Sequence, residues 1–175
     1  CDYCIANQHT SCRNIEYFGH GGGSACQAEA VRIPWADGTM VALPVTEDSA
    51  LIPSLLTLSD VLCTGYHAAV SARVRPGQTV AVVGDGAVGL SAVIGAKLLG
   101  AERIVLFSRH ESRAKLGRYF GATDVLEGRN QEGIDEFKSL LNGDGADAVL
   151  EAVGTQSAID LSLAITRDYG TIGRV

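Results

Sequence analysis

The sequence predicts an α/β chain built on a doubly wound parallel sheet, and three observations carry that expectation. Residues 79–89 read TVAVVGDGAVG, an apolar run that ends in Gly84, Gly86 and Gly89 at G-x-G-x-x-G spacing and leads straight into LSAVIGAKLLG. From Pro76-Gly77 onward, apolar runs of strand length alternate with segments of helical period, the pattern of a parallel sheet with helical crossovers. The residues ahead of these are of another kind: rich in Gly, His and Cys, then alternating apolar and polar.

VAVV is a continuous apolar strand of the sort buried on both faces of a parallel sheet. Val88, Ala92, Val93 and Ala96 then recur at helical spacing, which predicts a helix over 87–99. In such a strand–turn–helix Gly84 turns the chain, Gly86 lets the backbone approach a pyrophosphate, and Gly89 lets the helix lie close on the sheet. The first amides of the helix and its positive dipole end face the anion. Gly84, Gly86, Ala87, Val88 and Gly89 are therefore the expected dinucleotide contacts. Further elements are predicted as a strand at 103–107, a helix at 111–120, a short strand at 123–126, a helix at 132–141, a strand at 147–152, a helix at 156–166 and a strand at 170–175. A full two-mononucleotide sheet has about six strands, so this one is expected to be incomplete at its C-terminal end.

Upstream, QAEAVRIPWADGTMVALP alternates around the turn Ala36-Asp37-Gly38 and predicts antiparallel β structure in the first 45 residues. ALIPSLLTLSDVLCTGYHAAV has apolar residues three and four apart, which predicts a helical connector with Pro53 at a start or kink. The domain boundary is placed between residues 60 and 61.

The formal charge of −6 and the pI near 5.1 speak against a nucleic-acid footprint. No stretch reaches the roughly 20 apolar residues that span a bilayer; Lys97 interrupts the most apolar helix, and no membrane partner is expected. The chain opens on a cysteine without an initiator Met or a secretory signal, which predicts an internal fragment or a processed chain. Five cysteines fit thiolate metal ligands in a reducing compartment better than a disulfide framework, and the cytoplasm is the expected location. Cys1, Cys4 and Cys12 stand in C-x2-C-x7-C spacing, and three thiolates hold one tetrahedral zinc if a fourth donor joins them. That donor is either Cys26 or a residue upstream of Cys1; otherwise the three are plain loop thiols.

NAD-binding sheets carry an Asp or Glu about 20 residues past the glycines, on the adenosine ribose. Here RIVLF ends instead in Ser108-Arg109-His110, with Arg113 one turn on. A hydroxyl and two guanidiniums suit a 2′-phosphate, which predicts NADP(H) over NAD(H); the alternative is a solvated helix start partly neutralised by Glu111. His9, His20, His67 and His110 include no H-x3-H pair, and no G-x-S-x-G element is present. DGADAVLEAVG ends a strand at Val153-Gly154, where open sheets place ligands.

Taken together, these motifs resemble the zinc-dependent alcohol dehydrogenases of the medium-chain dehydrogenase/reductase superfamily, over essentially the whole chain. The resemblance implies a structural-zinc lobe with cysteines in C-x2-C-x2-C-x7-C spacing, of which Cys1, Cys4 and Cys12 match the second, third and fourth; the first would lie three residues before Cys1. FGHGGGSACQAEAVRIPWADGTMVALP is similar to the return from that lobe into a GroES-like catalytic domain, and LSDVLCTGYHAAV resembles the crossing into the cofactor domain. At the matching position Asp60 is implied to be a catalytic-zinc ligand, with Cys63, the softer donor, as the second choice and a helix cap as the plain alternative. Thr64 is implied to touch one side of the nicotinamide, Val153 to border the cofactor ribose, and Gly173-Arg174-Val175 to approach the nicotinamide. A Ser-Arg pair like Ser108-Arg109 is similar to NADP-dependent members. The implied activity is hydride transfer between NADP(H) and a small alcohol or carbonyl compound by a zinc-dependent homo-oligomer, a dimer or tetramer. The family's other two catalytic-zinc ligands and its proton relay precede the part matched here, which implies that this chain alone is inactive. The alternatives are a zinc-free reductase of enones or quinones and a non-catalytic dinucleotide-binding module.

Overall fold

The computed structural model describes residues 1–19 and 25–175, in two compact units, Cys1–Thr46 and Glu47–Val175. The first unit holds α1 (Asp2–Ile5), a 3-10 turn at His9–Ser11 and α2 (Ala36–Thr39), and its described residues include no strand. The antiparallel β structure expected there is therefore not formed, and the GroES-like part is not visible. Alternation makes a strand only where a neighbouring ladder takes up the backbone N–H and C=O groups, and a lone hairpin is marginal. Instead Trp35 turns left-handed at φ 54° and starts a single helical turn, across which the Thr39 hydroxyl donates to the Trp35 carbonyl at 3.1 Å. The part of FGHGGGSACQ from 20 to 24, His20 included, lies outside the described residues.

In the second unit the connector is helical, as expected. α3 (Ile52–Leu55) carries Pro53 in its first turn, where a missing N–H costs nothing; a 3-10 turn at Leu56–Ser59 follows, then α4 (Val61–Ser71). β1 (Thr79–Val83), α5 (Ala87–Leu98), β2 (Arg103–Phe107), α6 (Glu111–Phe120), β3 (Asp124–Leu126), α7 (Gln131–Leu140), β4 (Ala146–Glu151), α8 (Gln156–Ile165) and β5 (Thr166–Arg174) then alternate. All strands are parallel, in the order β3-β2-β1-β4-β5.

The period of two along the strands sorts the core into two layers. Val80 and Val82 pack with Ala68, Ala69, Leu90 and Val93 under α4 and α5. Ala81 and Val83 pack with Phe107, Phe137 and Leu161 under α7 and α8 on the other face. Asn130 and Thr155 cap α7 and α8 by accepting from the Gly133 and Ala158 amides at 3.2 and 3.3 Å. β5 begins at Thr166, ahead of the expected 170. A register shift between Ala146 and Ala148 absorbs the extra residues, with Tyr169 at φ 61°.

Register sets the site's level. Val83 pairs with Phe107 on one side and Glu151 on the other, so the carboxyl ends of β1, β2 and β4 stand in line. Among the described residues no helix is long and apolar enough to cross a membrane.

Candidate functional site

The chain leaves β1 through Gly84 at φ +122°, a conformation closed to ordinary side chains, and a Cβ there would lie 3.0 Å from Val153 Cγ2. A Cβ on Gly89 would lie 2.6 Å from the Gly84 carbonyl carbon, so α5 starts hard against the turn that precedes it. Gly86 differs from both, since a Cβ there meets nothing within 4 Å. Gly86 also brings no side-chain acceptor to the first amides of α5. Open space in front of free helix amides, beside the exposed Ala87 and half-buried Val88, fits the pyrophosphate of a dinucleotide.

Between the two glycines stands Asp85, a buried carboxylate that the sequence reading left out. Ser108, itself 1% exposed, donates its hydroxyl to Asp85 Oδ2 at 2.9 Å. Arg113 donates to Oδ1 at 3.3 Å, and the Arg129 guanidinium reaches the same oxygen at 4.0 Å. Burial pushes the Asp85 carboxyl up, but the Ser108 hydroxyl and then Arg113 outweigh it and hold the group below the usual carboxylate value. Two of the three side chains expected at the end of β2 thus already serve a carboxylate supplied by the end of β1. Arg109 is exposed, and among the described residues its side chain has no hydrogen bond or ion pair. The signal for Asp85 was its place: the second residue after β1 stands beside the end of β2, because the two strands are parallel neighbours.

On the other side of β1, Glu151 is 1% exposed and accepts from the Val153 and Gly154 amides, both at 2.8 Å, through Oε1. Its Oε2 accepts from Arg174 Nε at 3.2 Å. One carboxylate thereby ties the β4 loop, with Val153, to the end of β5. Sequence reasoning missed this residue too, because a Glu closing an apolar strand looks like a solvated end.

Thr64, on α4, donates its hydroxyl to Asp60 Oδ1 at 2.9 Å. Asp60 is exposed and precedes α4 without capping a first-turn amide. The Cys63 thiol donates to the Leu58 carbonyl at 3.2 Å, and His67 Nε2 is 3.2 Å from the Ser71 hydroxyl. Neither Asp60 nor Cys63 joins a metal-sized group of His, Cys or acidic residues among the described residues.

Cys1, Cys4 and Cys12, in the first unit, do join one: their sulfurs all lie within 4.8 Å of one another. Cys1 and Cys4 are 3.7 Å apart, close to the ~3.8 Å that two thiolates on a tetrahedral zinc would show at a Zn–S distance of about 2.3 Å. The Cys12 sulfur accepts from the Asn14 amide at 3.4 Å, which holds that thiol below its usual value, while its bond with Cys12 pushes Cys4 up. Arg13 grips Asp2 with two bonds of 2.9 and 2.8 Å and closes the loop that carries the three. Cys26 is exposed and stands apart from them. Three thiolates at this spacing are a donor set that suits zinc.

Comparison with known proteins gives this geometry its family. Residues 87–175 match the family described as zinc-binding dehydrogenase. An alcohol dehydrogenase of Cupriavidus necator is 37% identical over 146 residues, 83% of this chain and 39% of that protein. An NADP-dependent isopropanol dehydrogenase of Clostridium beijerinckii is 33% identical over 140 residues, 80% of this chain and 39% of that protein. The solved alcohol dehydrogenase TADH of Thermus sp. ATN1 superposes with a TM-score of 0.89 at 30% identity, covering 100% of this chain and 51% of that one. The chain thus spans about half, or less, of the length of these relatives. With a parallel sheet and flanking helices that match them, the chain belongs to the zinc-binding dehydrogenases, among the alcohol dehydrogenases of the medium-chain dehydrogenase/reductase superfamily.

Proposed function

We propose that the protein carrying this chain is a zinc-dependent oxidoreductase that moves a hydride between NADP(H) and a small alcohol or the corresponding aldehyde or ketone. The observation that carries this reading is the open space at Gly86, between the close-packed Gly84 and Gly89, before the uncapped first turn of α5. A bound nicotinamide would supply the hydride chemistry, and the chain's share is to hold and orient it. Gly86, Ala87 and Val88 would meet the pyrophosphate, Val153 would border a ribose, and Thr64 would stand on the nicotinamide side.

The NADP(H) preference rests on the charge beyond β1 and β2. Asp85 would favour a ribose hydroxyl if it were free, but its oxygens already take Ser108 and Arg113, with Arg129 close by. Arg109, Arg113 and Arg129 against one carboxylate leave that corner net positive, which suits a 2′-phosphate.

Catalytic zinc, when bound, would supply a Lewis acid that lowers the pKa of the substrate hydroxyl. Asp60 would be one of its ligands, oriented through one oxygen by the Thr64 hydroxyl, as metal-bound carboxylates are by their outer partners. Cys1, Cys4 and Cys12 would hold a structural zinc with a cysteine three residues ahead of Cys1. In this reading residues 1–60 end a GroES-like catalytic domain and 61–175 form the cofactor domain of a cytoplasmic homo-oligomer, dimer or tetramer. The chain by itself would turn nothing over.

The test is zinc content per subunit of the full-length protein after exhaustive dialysis, joined to alcohol oxidation assayed with NADP+ and with NAD+. Two zincs and faster turnover at low NADP+ support the reading. One zinc or none removes the catalytic Lewis acid and moves the reading to a reductase without catalytic zinc or to a non-catalytic binding module, and equal use of both cofactors removes the NADP(H) preference.

A further inference from the structure

Arg129 lies in the loop between β3 and α7 and is no part of the glycine motif or of the Ser108-Arg109-Arg113 set. Its side chain is 21% exposed, and its Nε is buried with no hydrogen-bond partner. It is the one buried side-chain nitrogen or oxygen without a partner among the described residues, and such a group calls for an explanation. Its nearest carboxylate, Asp85, is 4.0 Å away and already accepts from Ser108 and Arg113. Burial, and then the charge of Arg109, hold the Arg129 guanidinium below the usual arginine value, with only Asp85 opposing them. A cation that is desolvated, repelled by a second arginine and left with an idle donor is poorly served by the protein alone. It would be well served by an anion.

The position says which anion. The strand order β3-β2-β1-β4-β5 puts Arg129, after β3, on the β2 side of the glycine turn, and Val153 and Arg174, after β4 and within β5, on the other. In a doubly wound sheet the adenosine half of a dinucleotide occupies the β1–β2 side. We infer that Arg129, held by Asp85, is a specificity-determining residue for the cofactor's 2′-phosphate, the third guanidinium beside Arg109 and Arg113. This rests on the NADP(H) reading above. Asp85 acts through the others: it is the positioning residue that holds Ser108 and Arg113 by hydrogen bonds, with Arg129 4.0 Å away, before any ligand arrives.

The experiment titrates the full-length protein with NADPH and with NADH by fluorescence, as wild type, Arg129→Gln and Arg129→Lys, with Arg118→Gln, an exposed α6 arginine, as the control. Arg129→Gln is expected to weaken NADPH binding by about tenfold to a hundredfold, the worth of one charge-assisted hydrogen bond, and to leave NADH within about twofold. Arg129→Lys keeps the charge without the fork and recovers part of the loss; Arg118→Gln changes neither cofactor. The inference is overturned if Arg129→Gln weakens both cofactors equally, which would mark a purely structural arginine, or if it weakens neither. If wild type binds NADH as tightly as NADPH, the NADP(H) reading itself falls and takes this one with it. If wild type prefers NADPH and Arg129→Gln keeps that preference, this inference falls alone.

Discussion

Replacing Gly89 by Ala sets one methyl group against a piece of backbone. The new Cβ would lie 2.6 Å from the Gly84 carbonyl carbon and closer still to its oxygen, where carbon atoms normally settle at about 3.5 Å or more. The turn and the helix must therefore separate by about 1 Å. No rotamer relieves the contact, because Gly84 is itself held at φ +122° against Val153. Overpacking against backbone at contacts this short costs about 2–3 kcal/mol, the upper part of the usual range, and Ala returns up to ~1 kcal/mol of helix propensity, which leaves a net loss of at least about 1–2 kcal/mol. In a unit of this size that lowers Tm by roughly 3–8 °C. A displacement of ~1 Å in a ligand cradle also costs up to a hundredfold in function. Calorimetry of the full-length protein and a fluorescence titration with NADPH read the two effects. Gly86→Ala is the counterpart: its Cβ enters empty space, so Tm stays within about 1 °C while the methyl occupies ligand volume and weakens NADPH about tenfold or more. A Gly89→Ala protein that melts and binds like wild type, or a Gly86→Ala protein that loses stability but not affinity, would refute the assignment of close packing to one glycine and ligand space to the other.

Glu151→Ala removes the acceptor of two backbone amides and of Arg174 and leaves a cavity; unfolding titrations should show a loss of about 2–4 kcal/mol, with Glu151→Gln milder. Asp124 is held below the usual carboxylate value first by Arg103, with burial opposing and the Thr123 hydroxyl assisting. That contribution is complete above about pH 3.9, the ordinary value, and is lost as pH falls through the lower folded value. Asp124→Asn should therefore lower Tm at neutral pH and lose less than wild type in acid melts. Cys4→Ser should reduce bound zinc by one per full-length subunit by elemental analysis; unchanged stoichiometry would show that the three sulfurs hold no metal.

The doubly wound sheet was legible because its signals are local: VAVV and RIVLF are apolar runs of strand length, and the helices between them keep their period. Most predicted boundaries from 79 to 165 fall within one residue of those observed. In the first unit the grouping of Cys1, Cys4 and Cys12 was legible from their spacing, but the backbone was not. Residues 27–44 alternate like strands, but alternation states only which face a residue would take, while pairing depends on a neighbour that the local pattern does not contain. The candidate site was half legible. The glycines stood out because their spacing is rigid, whereas Asp85, Arg129 and Glu151 matter through what β1, β2, β3 and β4 bring side by side, a relation that no window of sequence holds. Ser108 and Arg113 were singled out on their own, without Asp85, the partner that the sheet supplies.

Glu151 also constrains motion. The β4 loop and the end of β5 hang on the two oxygens of one carboxylate, so neither can swing out on its own without stranding a charge in the interior. Opening there is concerted: Val153, Gly154 and Arg174 move as one body or stay in place together, and the Val153 and Gly154 amides should exchange with solvent at a common slow rate.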